Sequence, residues 1–198
     1  MGTGNARLAA YEGGYRAGDV APERRAMPTI DVDFSELKPN FIRPELLQHP
    51  NIPKSLAGVN PRTIMGKEWW DILRRATYEV NNYHCFACGV PAADAILNQW
   101  LEAHECYEYQ WRKKILKYKE VVALCYSCHN FIHSGRLSHL YLDARIGREE
   151  ARSILLHGLR LLHKAGLPPD RAAIYAAAII RGEPLDFIGD HKIRPNPP

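Results

Sequence analysis

The residues of this chain best suited to chemistry are two Cys-x-x-Cys pairs, Cys85/Cys88 and Cys125/Cys128, with 36 residues between them. Each pair offers two thiolates from one tight turn, and four thiolates make a tetrahedral shell for a cation such as zinc. A shell closed by four cysteines has no open position, so such a site is structural. Its apparent binding free energy, about 10–16 kcal/mol, becomes folding free energy for the segments it joins. Catalysis must then be sought in the remaining histidines. His104-Glu105 lies between the two pairs, and His129 and His133 follow the last cysteine at the i, i+4 spacing of one helix face. Cys106 has no partner in this pattern and reads as a reduced strand residue.

The elements that must position these groups are legible around them. Trp69, Ile72, Leu73, Ala76 and Val80 recur at helical spacing and predict an amphipathic helix from Lys67 to about Asn81, with Trp69 on its buried stripe. That helix delivers the chain to Cys85. A short helical stretch is expected at 92–97. Leu101–Tyr109 alternates apolar and polar residues and Ile115–Leu124 is rich in aliphatic residues, so the two predict an antiparallel hairpin turning near 110–114. His129 and His133 then share a short helix. Two further helices are expected, Arg148–Ala165 ending at Gly166-Leu-Pro-Pro and Asp170–Arg181 ending at Gly182. His157 and His163 on the first of these read as ordinary surface or core histidines.

Residues 1–62 carry seven prolines between Pro22 and Pro61 and no sustained periodicity, which predicts an irregular arm with at most a short edge strand at 30–34 and one helical turn at 43–48. Its first twenty or so residues, and the tail from Arg194, are expected to be loose. The organisation expected is therefore α+β: an N-terminal arm over 1–62, a zinc-stapled core with its preceding helix over 63–140, and a C-terminal helical pair over 141–198 packed on that core.

Composition is that of a globular chain, with 46% hydrophobic and 24% charged residues. The net charge of +4 and pI near 8.8 lean only mildly towards an anionic partner. Local clustering is more specific: Arg112, Lys113, Lys114, Lys117 and Lys119 sit on or beside the hairpin among Tyr107, Tyr109, Trp111 and Tyr118, and Arg74 and Arg75 lie on the first helix. Cations interleaved with aromatics beside a metal site suit a nucleic-acid backbone. The longest apolar run, 172–180, is too short to span a bilayer and no leader is evident, so a cytoplasmic protein with no membrane association is expected, its cysteines reduced.

The order Cys-x-x-Cys, a strand bearing LEAHE, then LC-x-x-CH-x-x-x-H opening a helix resembles the HNH endonuclease family, over residues 85–133. The resemblance implies a ββα-metal core and cleavage of DNA, in double-stranded form, with a structural Zn²⁺ and a second, hydrolytic divalent metal such as Mg²⁺, Mn²⁺, Ni²⁺ or Zn²⁺. It implies that His104, His129 and His133 hold the hydrolytic metal and that the adjacent Glu105 stands where the family places its water-activating histidine. Glu120 stands where the family usually has Asn. A second register, with His104 as base and Glu105 or His129 completing the metal site, fits the same residues. On a regular strand His104 and Glu105 point to opposite faces, so they share a site only if the strand bends or ends there.

Overall fold

In the computed structural model the described residues are 37–48, 60–110, 113 and 115–182, all within the unit Asp33–Pro198. The strand expected at 30–34, the side chains of Trp111, Arg112 and Lys114, and the tail from Arg194 lie outside them. The described residues form five α-helices and one two-stranded antiparallel sheet, an α+β arrangement. Among them, no helix is long and apolar enough to cross a membrane.

The hairpin is the centre of the arrangement. Strand β1, Leu101–Gln110, pairs with β2, Ile115–Cys125, setting His104 opposite Val122 and Glu105 opposite Val121. The register shifts once, between Cys106 and Tyr107: Cys106 faces Glu120 while Tyr107 faces Tyr118, leaving Lys119 as the extra residue of a bulge. Before that bulge the pleat is regular, so Glu102, His104 and Cys106 share one face and Ala103 and Glu105 the other.

Helix α1 spans Pro61–Val80, longer than expected. Asn60 caps it reciprocally: its side chain accepts from the Thr63 N–H and the Thr63 hydroxyl accepts from the Asn60 N–H. Gly66, at φ 84°, kinks it near the residue where the sequence pattern begins. Its packed face also differs from expectation, because Ile72 and Val80 are 66% and 55% exposed while Thr77 is buried. Just beyond the helix Asn81 is buried, and its amide accepts from the Phe41 N–H and donates to the Phe41 and His84 carbonyls. That polar residue is buried with its bonds satisfied, while Trp69 and Leu73 of the expected stripe are half-buried.

After the hairpin the chain enters α2, Tyr126–Ile132, without a loop; Cys125 is both the last residue of β2 and the N-cap of α2. Helix α3, Ser134–Leu142, follows across His133, which caps α2 instead of sharing that helix with His129 as expected; its N–H still donates to the His129 carbonyl at 3.2 Å, which keeps the two residues one turn apart. Helices α4, Arg148–Lys164, and α5, Arg171–Arg181, form the C-terminal pair, α5 capped by the Asp170 side chain on the Ala173 N–H and ended by Gly182 at φ 74°. Val122, Leu124, Phe131, Leu137, Ile154 and Leu162 are fully buried, so the core lies among β2, α2, α3 and α4.

Close approach of α4 to α2 depends on Gly158, where a Cβ would fall 2.2 Å from the Phe131 ring. Alanine is the better helix former by about 1 kcal/mol, so without that contact Gly158→Ala would stabilise. Overpacking is expected to win, lowering stability in urea unfolding by about 1–3 kcal/mol. An equally or more stable variant would contradict the packing described.

Candidate metal centres

The turn holding Cys85 and Cys88 is built by backbone pairing. Gly89 N–H donates to the Cys85 carbonyl and Cys85 N–H to the Val90 carbonyl, each at 2.8 Å. Gly89 has φ 74° and a Cβ there would meet Ile42 at 2.7 Å, so both conformation and space require glycine. Phe86 N–H donates to the Ala123 carbonyl of β2, which moors the turn to the hairpin beside Cys125.

Cys85, Cys88, Cys125 and Cys128 thereby converge, with their sulfurs all within 4.8 Å of one another. Three are buried and Cys88 is half-buried. The sulfurs compete for protons: hydrogen bonds from Cys128, Cys85 and Cys88 hold Cys125 well below the ordinary thiol range, while the same sharing raises Cys88 and Cys128. A divalent cation accepting four thiolates removes that conflict, and the donor set suits a structural metal such as zinc. Cys106 lies apart in β1, its thiol pushed up to about 12 by burial and the nearby Glu120 charge.

Sequence spacing did not single out His157. Gly158 brings α4 against α2 and sets His157 Nε2 3.4 Å from Cys128 Sγ. With a cation bound and the ring protonated at Nε2, His157 would donate to the Cys128 thiolate, the outer support common around metal ligands. The Tyr126 hydroxyl donates to Glu150, a second tie between the same helices. The glycine inside an amphipathic helix was the available signal.

On the sheet face that carries His104, a second cluster forms. His104, His129 and His133 have candidate ligand atoms within 4.8 Å of one another, and their ring centroids are 4.9–5.2 Å apart. His104 is buried and comes from β1, His129 from α2, and His133 from the break before α3. Glu102, two residues before His104 and on its face, bonds His129 Nδ1. That bond leaves Nε2 of His129 as the atom for a ligand. Burial opposes the Glu102 charge, but the His129 bond and the nearby Arg136 hold its pKa below the usual carboxylate value. Alternation on β1 carried the signal for Glu102, which sequence reasoning passed over.

Glu105 falls on the opposite face, since β1 neither bends nor ends at 104–105. One of its oxygens accepts from the Tyr107 hydroxyl at 3.0 Å; the other, Oε1, is buried without a hydrogen-bond partner among the described residues. Glu120 forms a two-pronged pair with Arg43 at 2.7 and 3.0 Å. Of the cations, Lys113 and Lys117 are exposed and in no ion pair among the described residues. Lys119 pairs with Glu108 at 3.3 Å, Arg74 with Asp71 at 2.9 Å, and Arg75 is exposed. Comparison of the chain with known protein families, curated proteins and solved structures found no match.

The purified chain is expected to hold one tightly bound zinc at the cysteines. Cys85→Ser or Cys125→Ser should lose it together with much of the cooperative unfolding transition, while Cys106→Ser keeps both. Metal analysis and thermal unfolding check this. A metal-free chain unfolding as wild type does would contradict it.

Proposed function

We propose that the protein is a metal-dependent DNA endonuclease of the HNH type, hydrolysing phosphodiester bonds at His104, His129 and His133. One observation carries the reading: three histidines, one from the hairpin and two from the chain just after it, bring ligand atoms within 4.8 Å of one another beside a four-cysteine cluster that shares α2. Three protein ligands are the pattern of a catalytic rather than a structural centre, because they leave positions for water and substrate.

A divalent cation held there supplies Lewis acidity to a phosphate oxygen and lowers the pKa of a bound water, worth several kcal/mol of barrier. The chain's own part is orientation. Glu102 fixes the His129 ring and its tautomer, and burial of His104 restricts its rotation. An all-imidazole donor set favours Zn²⁺ or Ni²⁺ over Mg²⁺ and Mn²⁺, which suit oxygen ligands. Exposed Lys113 and Lys117 offer duplex DNA phosphate contacts.

A second reading, a zinc-stabilised nucleic-acid-binding module without cleavage, is favoured by the orientation of Glu105. A carboxylate on the far face of β1 is out of hydrogen-bond reach of water at the histidines, so no separate base would stand where the family keeps one.

Plasmid nicking with Mg²⁺, Mn²⁺, Ni²⁺ or Zn²⁺ against an EDTA control decides between them. Wild type is expected to nick, and His104→Ala or His133→Ala to abolish nicking while the cysteine-bound zinc remains. Glu102→Gln should weaken metal binding at the histidines by about 10- to 100-fold. Glu105→Gln, which still accepts from Tyr107, should leave that affinity unchanged. No nicking with any cation would leave the binding module, and undiminished nicking by His104→Ala would remove the assignment of the site.

A further inference from the structure

Helix α4 carries a cationic groove that neither metal centre uses. It has a volume of about 420 Å³ and runs along the outer face of α4, with exposed Ile96 on its opposite flank. Arg152, Leu156, Arg160 and Lys164 form one i, i+4 row along it. All four are exposed, and none of the three cations enters an ion pair among the described residues. Glu149 is the one acid among the lining residues, at the N-terminal end. Lys164 also complements the carbonyl end of the helix. Arg152, in the second turn, has no such role.

We propose that this groove binds the phosphodiester backbone of a nucleic-acid strand, as a contact surface separate from the hairpin cations. The inference rests on the nucleic-acid reading above and extends it to a part of the chain that reading does not involve. The cations are spaced about 12 Å and about 6 Å along the helix axis, at 1.5 Å per residue. Those steps resemble two and one repeats between neighbouring phosphates of a strand. A single free phosphate would engage one position and leave the row unused. Leu156 and Ile96 give apolar surface for sugars between the charges. His157, in the floor of the groove, is the residue against Cys128, so the groove is anchored to the cysteine cluster.

The test is fluorescence anisotropy of labelled DNA, duplex and single strand, across a salt series. It compares wild type with Arg152→Ala/Arg160→Ala/Lys164→Ala and with Lys113→Ala/Lys117→Ala. Removing one cation from a phosphate should reduce the slope of log affinity against log salt by about 0.9 on duplex or about 0.7 on single strand. The groove variant is expected to show two to three such steps, and Arg152→Gln alone about one. These side chains are exposed, so urea unfolding should match wild type; Arg152→Gln supplies the reading if the triple variant does not fold. A wild-type slope in the groove variants, with a reduced slope in the hairpin variant, overturns this proposal and leaves the nucleic-acid reading intact. No DNA binding by wild type overturns both. Weakened binding of a labelled poly-glutamate probe by the groove variants, with DNA binding unchanged, overturns it in favour of an acidic protein partner.

Discussion

Four sulfurs must come within ligand distance of one another, and most of the described chain is arranged by that demand. Two arrive from the 85–88 turn, one from the end of β2 and one from the second half-turn of α2. For them to meet, the turn must lie against β2, which it does through the Phe86–Ala123 hydrogen bond, and β2 must pass into α2 with no intervening loop. A cation at that point replaces competition among thiols with mutual attraction to one charge, on a scale comparable to the whole stability of a domain.

Because α2 is only seven residues long, the demand reaches the histidines as well. Cys128 and His129 are adjacent, and on a helix adjacent side chains diverge by roughly a quarter turn or more. One thus faces the cysteine cluster and the other the sheet face bearing Glu102 and His104. Fixing the helix from one side presents His129 on the other, and His133 follows one turn later. Helix α4 reinforces this through His157 on Cys128 and Tyr126 on Glu150. The cysteine and histidine clusters are thereby coupled by rigid geometry rather than by any shared residue.

Much of this was legible in local spacing. Cys-x-x-Cys twice, the alternation of Leu101–Tyr109 and the Gly-Leu-Pro-Pro and Gly182 stops each encode geometry within a few residues, and the structure follows them; the four-residue spacing of His129 and His133 also brings them together, although His133 caps α2 rather than lying within it. What escaped depends on distant partners. His157 reaches Cys128 where Gly158 lets α4 close on the Phe131 ring, and α1 leaves Ile72 and Val80 exposed while the polar Thr77 and Asn81 are buried. Glu102 lay between these cases. Alternation alone sets it on the face of His104, whereas Glu105, adjacent in sequence and nearer to a familiar motif, drew attention to the wrong side of the strand.

The central claim is that α2 serves two chemically distinct metal centres. X-ray absorption at the zinc edge of zinc-saturated protein, with zinc counted per chain, tests it most directly. The expected result is two zinc ions per chain with a mixed shell, sulfur near 2.3 Å and nitrogen near 2.0–2.1 Å, reduced by His104→Ala to one ion with sulfur alone. One zinc per chain with an all-sulfur shell in both proteins would contradict the account.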